Sequence, residues 1–150
     1  MIIKTLDIWD YKEQIDEGSV MLCITTNGDT NSQGLAVMGR GVALQASKQY
    51  PGLSNNLGAK IKIWGGAPFG GILSTNPRLF SFPVKYHWKD KADISLIKWS
   101  TQVLATFMRN TSNRTVLLPR PGCGNGGLDW EEVEPIVNRL SDDVWVVTNE

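Results

Sequence analysis

The chain has 150 residues, 41% hydrophobic and 20% charged, enough for one domain with a substantial core. Fifteen basic residues balance fifteen acidic ones, and no long block of like charge supports tight, purely electrostatic nucleic-acid binding; only a local contact is left open. Two cysteines and one histidine make neither a disulfide scaffold nor a metal site, and the apolar run of MIIKTLDIWD is too short for a signal peptide, which predicts a cytoplasmic protein with no metal, no cofactor and no membrane partner.

In chain order, Met1–Leu6 reads as a buried strand and Val20–Thr25 as a second. A helix with a small-residue face (Ala43, Ala46, Ser47, Tyr50) is expected from about Gly39 to Tyr50, stopped by Pro51-Gly52. Gly71–Ser74 and Arg78–Val84 read as a strand pair divided by the turn signal Asn76-Pro77. Ile94, Ile97, Val103, Leu104, Phe107 and Met108 form an apolar stripe that predicts a helix over Asp93–Arg109. Thr115–Leu118 is another apolar strand. Val133, Ile136, Val137 and Leu140, at i, i+3, i+4 and i+7, predict a helix over Asp129–Leu140, with Asp129 as its cap. Val144–Thr148 closes the list as a strand. This alternation predicts an α/β fold: a three-layer α/β/α sandwich around a mixed, mostly parallel sheet of about six strands.

Ligands of such sheets bind beyond the carboxyl ends of the strands. Two glycine-bearing loops fall at that edge. One, TTNGDTNSQGLAVMGRGVALQ, follows the second strand, with Gly39 and Gly41 opening a helix. The other, PRPGCGNGGLDW, follows Thr115–Leu118. Glycines at a helix start let free N–H groups meet an anion, and two such loops suit two phosphates. Neither loop matches GxxxxGK[ST] or a GxGxxG after the first strand, which disfavours a P-loop enzyme and a dinucleotide Rossmann domain.

With both loops placed, TTNG…AVMGRGVALQ and LPRPGCGNGGLDWEEV resemble the two ligand loops of a macrodomain, the ADP-ribose-binding module. The segment SFPVKYHWKDKADISLI between them is similar to the macrodomain of the DNA ADP-ribosyl glycohydrolase antitoxins and of relatives acting on ADP-ribose 1''-phosphate. The resemblance spans most of the chain and implies one stand-alone macrodomain over 1–150, acting as a monomer. It implies that Asp7 accepts the adenine amino group and that Ile8 packs beside the base. Asn27 would bond the distal ribose and share the catalytic role with Lys85, the lysine of the family's FPxK segment. Val37, Met38, Gly39, Arg40 and Gly41 would form one wall of the diphosphate channel. Pro119, Gly122, Cys123, Gly124, Asn125, Gly126, Gly127 and Leu128 would form the other.

Two departures from the family pattern stand out. Gly28–Ala36 looks like an insertion in the first loop. Gly126 stands where the protein-directed glycohydrolases carry an aspartate, which argues against a lysine–aspartate mechanism. The function implied is release of ADP-ribose from a modified target, with thymidine in DNA as the family precedent. The alternatives are an ADP-ribose 1''-phosphate phosphatase and a reader that binds without turnover. Lys85 would act either as a nucleophile on a ring-opened sugar or as a charge stabilising the leaving group.

Each residue also has a plainer reading. Asp7 could cap the short helix after it, Asn27 could be a left-handed turn residue before Gly28, and Lys85 could be a solvated surface lysine. His87 is expected to order its loop with Trp88. Cys123 is expected to contribute its backbone and small size rather than its thiol, and Trp130 to line the second loop.

Overall fold

A computed structural model describes residues 1–111 and 114–148. Six strands form one sheet: β1 (Ile2–Thr5), β2 (Val20–Thr26), β3 (Gly71–Thr75), β4 (Arg78–Pro83), β5 (Thr115–Pro119) and β6 (Val144–Thr148). Their spatial order is β1-β6-β5-β2-β4-β3. All neighbours are parallel except β3 and β4, which pair antiparallel across the turn at Asn76-Pro77. The helices are α1 (Lys12–Glu17), preceded by a 3-10 turn over Ile8–Tyr11, α2 (Gly41–Gln49), α3 (Leu53–Ile63), α4 (Ile94–Arg109) and α5 (Trp130–Val137).

The period-two alternation of β2 builds the three layers. Met21 and Cys23 face a core shared with Ile97 and Leu104 of α4 and Val133 and Val137 of α5. Val20, Leu22 and Ile24 face the opposite core, with Ile15 of α1, Ala43 and Ala46 of α2, and Leu57 and Ile61 of α3. Phe80 and Phe82 of β4 are fully buried, each stabilising the fold by about 2–3 kcal/mol through removal from water.

Three expectations need correction. Met1–Leu6 is not a buried strand: β1 lies at the sheet edge, and Ile2 and Ile3 are exposed. α3 is a helix that the reading of Pro51-Gly52 as a stop did not include. α5 ends at Val137 rather than Leu140: Asn138 N–H makes the closing bond to the Glu134 carbonyl, and Leu140 N–H bonds the Val137 carbonyl in a tighter i→i−3 turn instead. Asp129 does occupy the cap position of α5, but its side chain makes no capping hydrogen bond. Among the described residues no helix is long and apolar enough to cross a membrane.

The topology creates one favoured edge. The chain leaves β2 toward β4 on one side and returns from β4 to β5 on the other. The carboxyl ends of β2, β4 and β5 therefore lie side by side where the winding reverses, and such a point opens a crevice.

Candidate functional site

The ends of β2 and β4 are pinned first. The buried Thr26 hydroxyl donates to Ser81 Oγ at 2.7 Å, since Ser81 Oγ itself donates to the Phe69 carbonyl at 2.7 Å. Val84 N–H donates to the Thr26 carbonyl at 2.9 Å, carrying the pairing one step past β4. Asn27 follows. Its Oδ1 accepts from Asp29 N–H at 2.9 Å, and its Nδ2 donates to the Val37 carbonyl at 3.2 Å, closing the loop upon itself. Asn27 does not take the left-handed conformation; no residue other than glycine has positive φ among those described.

Asp29 joins this loop to the one after β4. Its carboxylate accepts from Trp88 N–H at 2.7 Å and from His87 Nδ1 at 3.0 Å, while Gly28 N–H donates to the Tyr86 carbonyl at 3.1 Å. Burial acts to raise the Asp29 pKa. The His87 hydrogen bond, the Trp88 N–H and the charges of His87 and Lys89 outweigh it and hold the carboxyl below its ordinary value. The same hydrogen bond and charge hold His87 above its ordinary value. His87 thus orders the loop, as expected from the sequence. Lys85 Nζ donates to the carbonyls of Trp88 and Asn125, each at 3.3 Å, and so bridges the loop after β4 and the loop after β5.

α2 begins at the crevice with its first turn uncapped. Arg40 holds the cap position and offers no side-chain acceptor, and no acidic residue sits in that turn. Its leading N–H groups are therefore available to an anion, which the helix dipole favours. α4, by contrast, is closed by Asp93, whose Oδ1 accepts from Leu96 N–H at 2.9 Å.

The loop after β5 is shaped by two glycines. Gly122 has φ +74°, and a Cβ there would press into Ala92, Ile97 and Leu128 at about 3 Å. A Cβ on Gly126 would collide with the Gly122 backbone. The turn so formed donates Leu128 N–H to the Gly122 carbonyl and accepts Ala92 N–H at the Gly126 carbonyl, each at 2.9 Å. Among the described residues the N–H groups of Gly124, Asn125 and Gly126 make no backbone hydrogen bond.

These parts enclose a cleft of about 450 Å3. Asn27, Val37, Met38, Gly39, Arg40, Gly41, Lys85, Pro119, Gly122, Gly124, Asn125 and Gly126 all line it, so most residues expected at the site come together. Gly127 lines an adjoining cavity instead. Four further expected residues line neither cavity. Leu128 is buried in the α4–α5 core. Cys123 turns its thiol toward the Pro121 carbonyl at 3.5 Å; burial pushes that thiol up, and the opposing pull of Arg120 does not offset it. Asp7 caps the 3-10 turn through Trp9 N–H at 3.0 Å, and Ile8 is buried in the α1–α2 core. Cleft residues that the sequence did not single out include Thr26, Val84, Trp88 and Arg120. The Arg120 guanidinium lies 4.8 Å from the Trp130 ring centroid, so Trp130 supports the cleft through Arg120. Arginine directly after a strand that ends beside a glycine loop was the available signal.

An open helix start, a turn whose N–H groups make no backbone hydrogen bond and a lysine between them, at the carboxyl edge of this sheet, make a crevice suited to an anionic ligand in an α/β/α sandwich. No protein-family model matches the chain. It is 33% identical over 107 residues to a DNA ADP-ribosyl glycohydrolase of Mycobacterium tuberculosis, covering 67% of this chain and 30% of the relative. It is 31% identical over 126 residues to the Thermus aquaticus protein of that name, covering 75% and 34%. The chain thus spans about a third of the length of these relatives. The solved macrodomain of Mycobacterium tuberculosis DarG superposes with a TM-score of 0.72 at 27% identity, covering 97% of this chain and 95% of that one. Thermosipho africanus DarTG in complex with ADP-ribose shares the fold, with a TM-score of 0.70 at 22% identity over 87% of this chain and 38% of that one. The chain is a macrodomain related to that of DarG.

Proposed function

We propose that residues 1–150 act as one macrodomain that binds ADP-ribose in this cleft and hydrolyses the bond from C1'' of the distal ribose to a modified base in DNA. The observation that carries the reading is Lys85 Nζ, fixed by two carbonyls at 3.3 Å between the lysine loop and the glycine turn. The diphosphate lies between the start of α2 and the N–H groups of Gly124, Asn125 and Gly126. Asn27 keeps one amide hydrogen for a ribose hydroxyl after its bond to Val37. Asp7 and Ile8 lie outside the cleft lining, so the adenine extends beyond the cleft to reach Asp7 Oδ2, the oxygen that Trp9 N–H leaves free. Water adds to C1'', the bond to the base breaks, and the base takes the proton. Lys85 serves as a donor to the charge that develops on the departing base; its engagement with two carbonyls suits donation rather than nucleophilic attack. DNA as the target is supported by the names of the glycohydrolase relatives.

The test is release of free ADP-ribose, by mass spectrometry, from a single-stranded oligonucleotide carrying ADP-ribosylated thymidine. Lys85→Ala is expected to lower turnover about 100-fold or more, with ADP-ribose affinity changed less than about threefold. Phosphate release from ADP-ribose 1''-phosphate without activity on the oligonucleotide would replace this reading with a phosphatase. Binding without either product would make the protein a reader.

A further inference from the structure

The sequence KYHWKDK packs three lysines and two exposed aromatic side chains into seven residues between β4 and α4, in a chain of zero net charge. The fold adds to this concentration. Arg40, Lys85, Lys89 and Lys91 border a second cavity of about 230 Å3, against the single carboxylate of Asp90. None of these four cations takes part in an ion pair among the described residues. The cavity shares Arg40, Lys85, Trp88, Asn125 and Gly126 with the main cleft, so the two adjoin at Lys85.

Trp88 is 46% exposed, yet its backbone is clamped from both sides: its N–H donates to Asp29 at 2.7 Å and its carbonyl accepts from Lys85 at 3.3 Å. Lys89 Nζ stands 5.5 Å from its ring centroid. A flat aromatic surface held in water among unpaired cations matches a single strand of nucleic acid, whose bases stack and whose phosphates pair with lysine. An acidic peptide would use the cations and leave the ring without a role.

We propose that this second cavity is a strand subsite. Lys89 and Lys91 take backbone phosphates of the nucleotides flanking the modified one, and Trp88 stacks on a neighbouring base. The proposal rests on the reading that the main cleft holds ADP-ribose.

The test is fluorescence anisotropy with an unmodified single-stranded oligonucleotide at several salt concentrations, beside calorimetry with free ADP-ribose. Lys89→Ala/Lys91→Ala is expected to weaken strand binding about tenfold and to reduce the salt slope by about 1.4, two phosphates at about 0.7 each. ADP-ribose affinity should stay within about twofold, because neither lysine lines the main cleft. Trp88→Phe should retain most strand affinity and Trp88→Ala should lose it. An unchanged slope in the double variant overturns the subsite. So does a polyglutamate peptide that binds the wild type as tightly as the oligonucleotide and loses as much affinity in the double variant. Failure of the wild type to bind ADP-ribose would overturn the main-cleft reading and with it the placing of the subsite beside a modified nucleotide, whereas an unchanged slope with ADP-ribose still bound overturns the subsite alone.

Discussion

The two loops that flank the cleft reach similar ends by different chemistry. The loop after β2 is held by side chains: Asn27, Asp29 and Asn31 each accept backbone N–H groups, and Asp29 reaches across to the lysine loop. The loop after β5 is held by backbone, through turns that only glycine permits and through its packing on α4. The first loop is held by several separate side-chain hydrogen bonds. The second cannot gain an atom at Gly122 or Gly126 without moving. Glycine therefore plays two parts here, since a Cβ on Gly39 or Gly124 would meet nothing within 4 Å and would point into open space beside the cleft.

That contrast can be broken most directly at neighbouring glycines. Gly126→Val is expected to destabilise the fold by about 3 kcal/mol or more, because its Cβ has backbone rather than a flexible side chain in its path. Thermal denaturation measures this. Gly124→Val should leave stability within about 1 kcal/mol, yet weaken ADP-ribose binding about 100-fold by filling the open space that the proposed function gives to the diphosphate. If both variants behaved alike in the two assays, the division into packed and open glycines would be wrong.

The side-chain loop is tested by pH. His87 has its folded pKa raised above 6.5, so its stabilising pairing with Asp29 is fully present below that value and is lost as pH rises through the folded pKa. Asp29 has its folded pKa depressed below 3.8, so its contribution is present above that value and is lost as pH falls through the folded pKa. The pair is most stabilising between these limits. The difference in melting temperature between wild type and His87→Ala is therefore expected to be largest near about pH 5.5 and to shrink toward about pH 8.5. The pair is solvent-facing, so added salt should reduce the difference as well. A difference independent of pH would assign His87 a packing role only.

The same contrast explains what the sequence made legible. The strands and α4 announce themselves by period, and the glycine loops announce themselves by composition. α3 does not, because Gly58 interrupts its pattern of Leu53, Leu57 and Ile61. That glycine is fixed from outside the helix: a Cβ there would collide with the Gly34 carbonyl of the first loop. β1 misleads for a related reason, since Ile2 and Ile3 look like core residues until the strand order puts them at an edge. At the cleft, the lining residues that belong to a local motif were legible, including Asn27, Lys85, Gly39 and Gly124. Asp29 and Arg120 were not, because their roles depend on partners brought in by the fold: Asp29 on His87 and Trp88, 58 and 59 positions away, and Arg120 on the Trp130 ring.

The smallest effect is expected at Cys123, and it bears on how much of the second loop is chemistry. A thiol beside a ligand loop invites a nucleophilic role. Its surroundings oppose one: burial raises its pKa, the nearby Asp129 and Glu132 carboxylates raise it further, and only Arg120 pulls the other way. The side chain faces the Pro121 carbonyl and packs against the α4–α5 core instead of lining the cleft. Cys123→Ala should therefore leave turnover within about twofold and cost less than about 1 kcal/mol, as a small half-buried group does. Steady-state kinetics on the ADP-ribosylated oligonucleotide decide it. A loss of about 100-fold would move the reacting group from Lys85 to the thiol, and the glycines around Cys123 would then have to be read as access to sulfur rather than as a frame for phosphate.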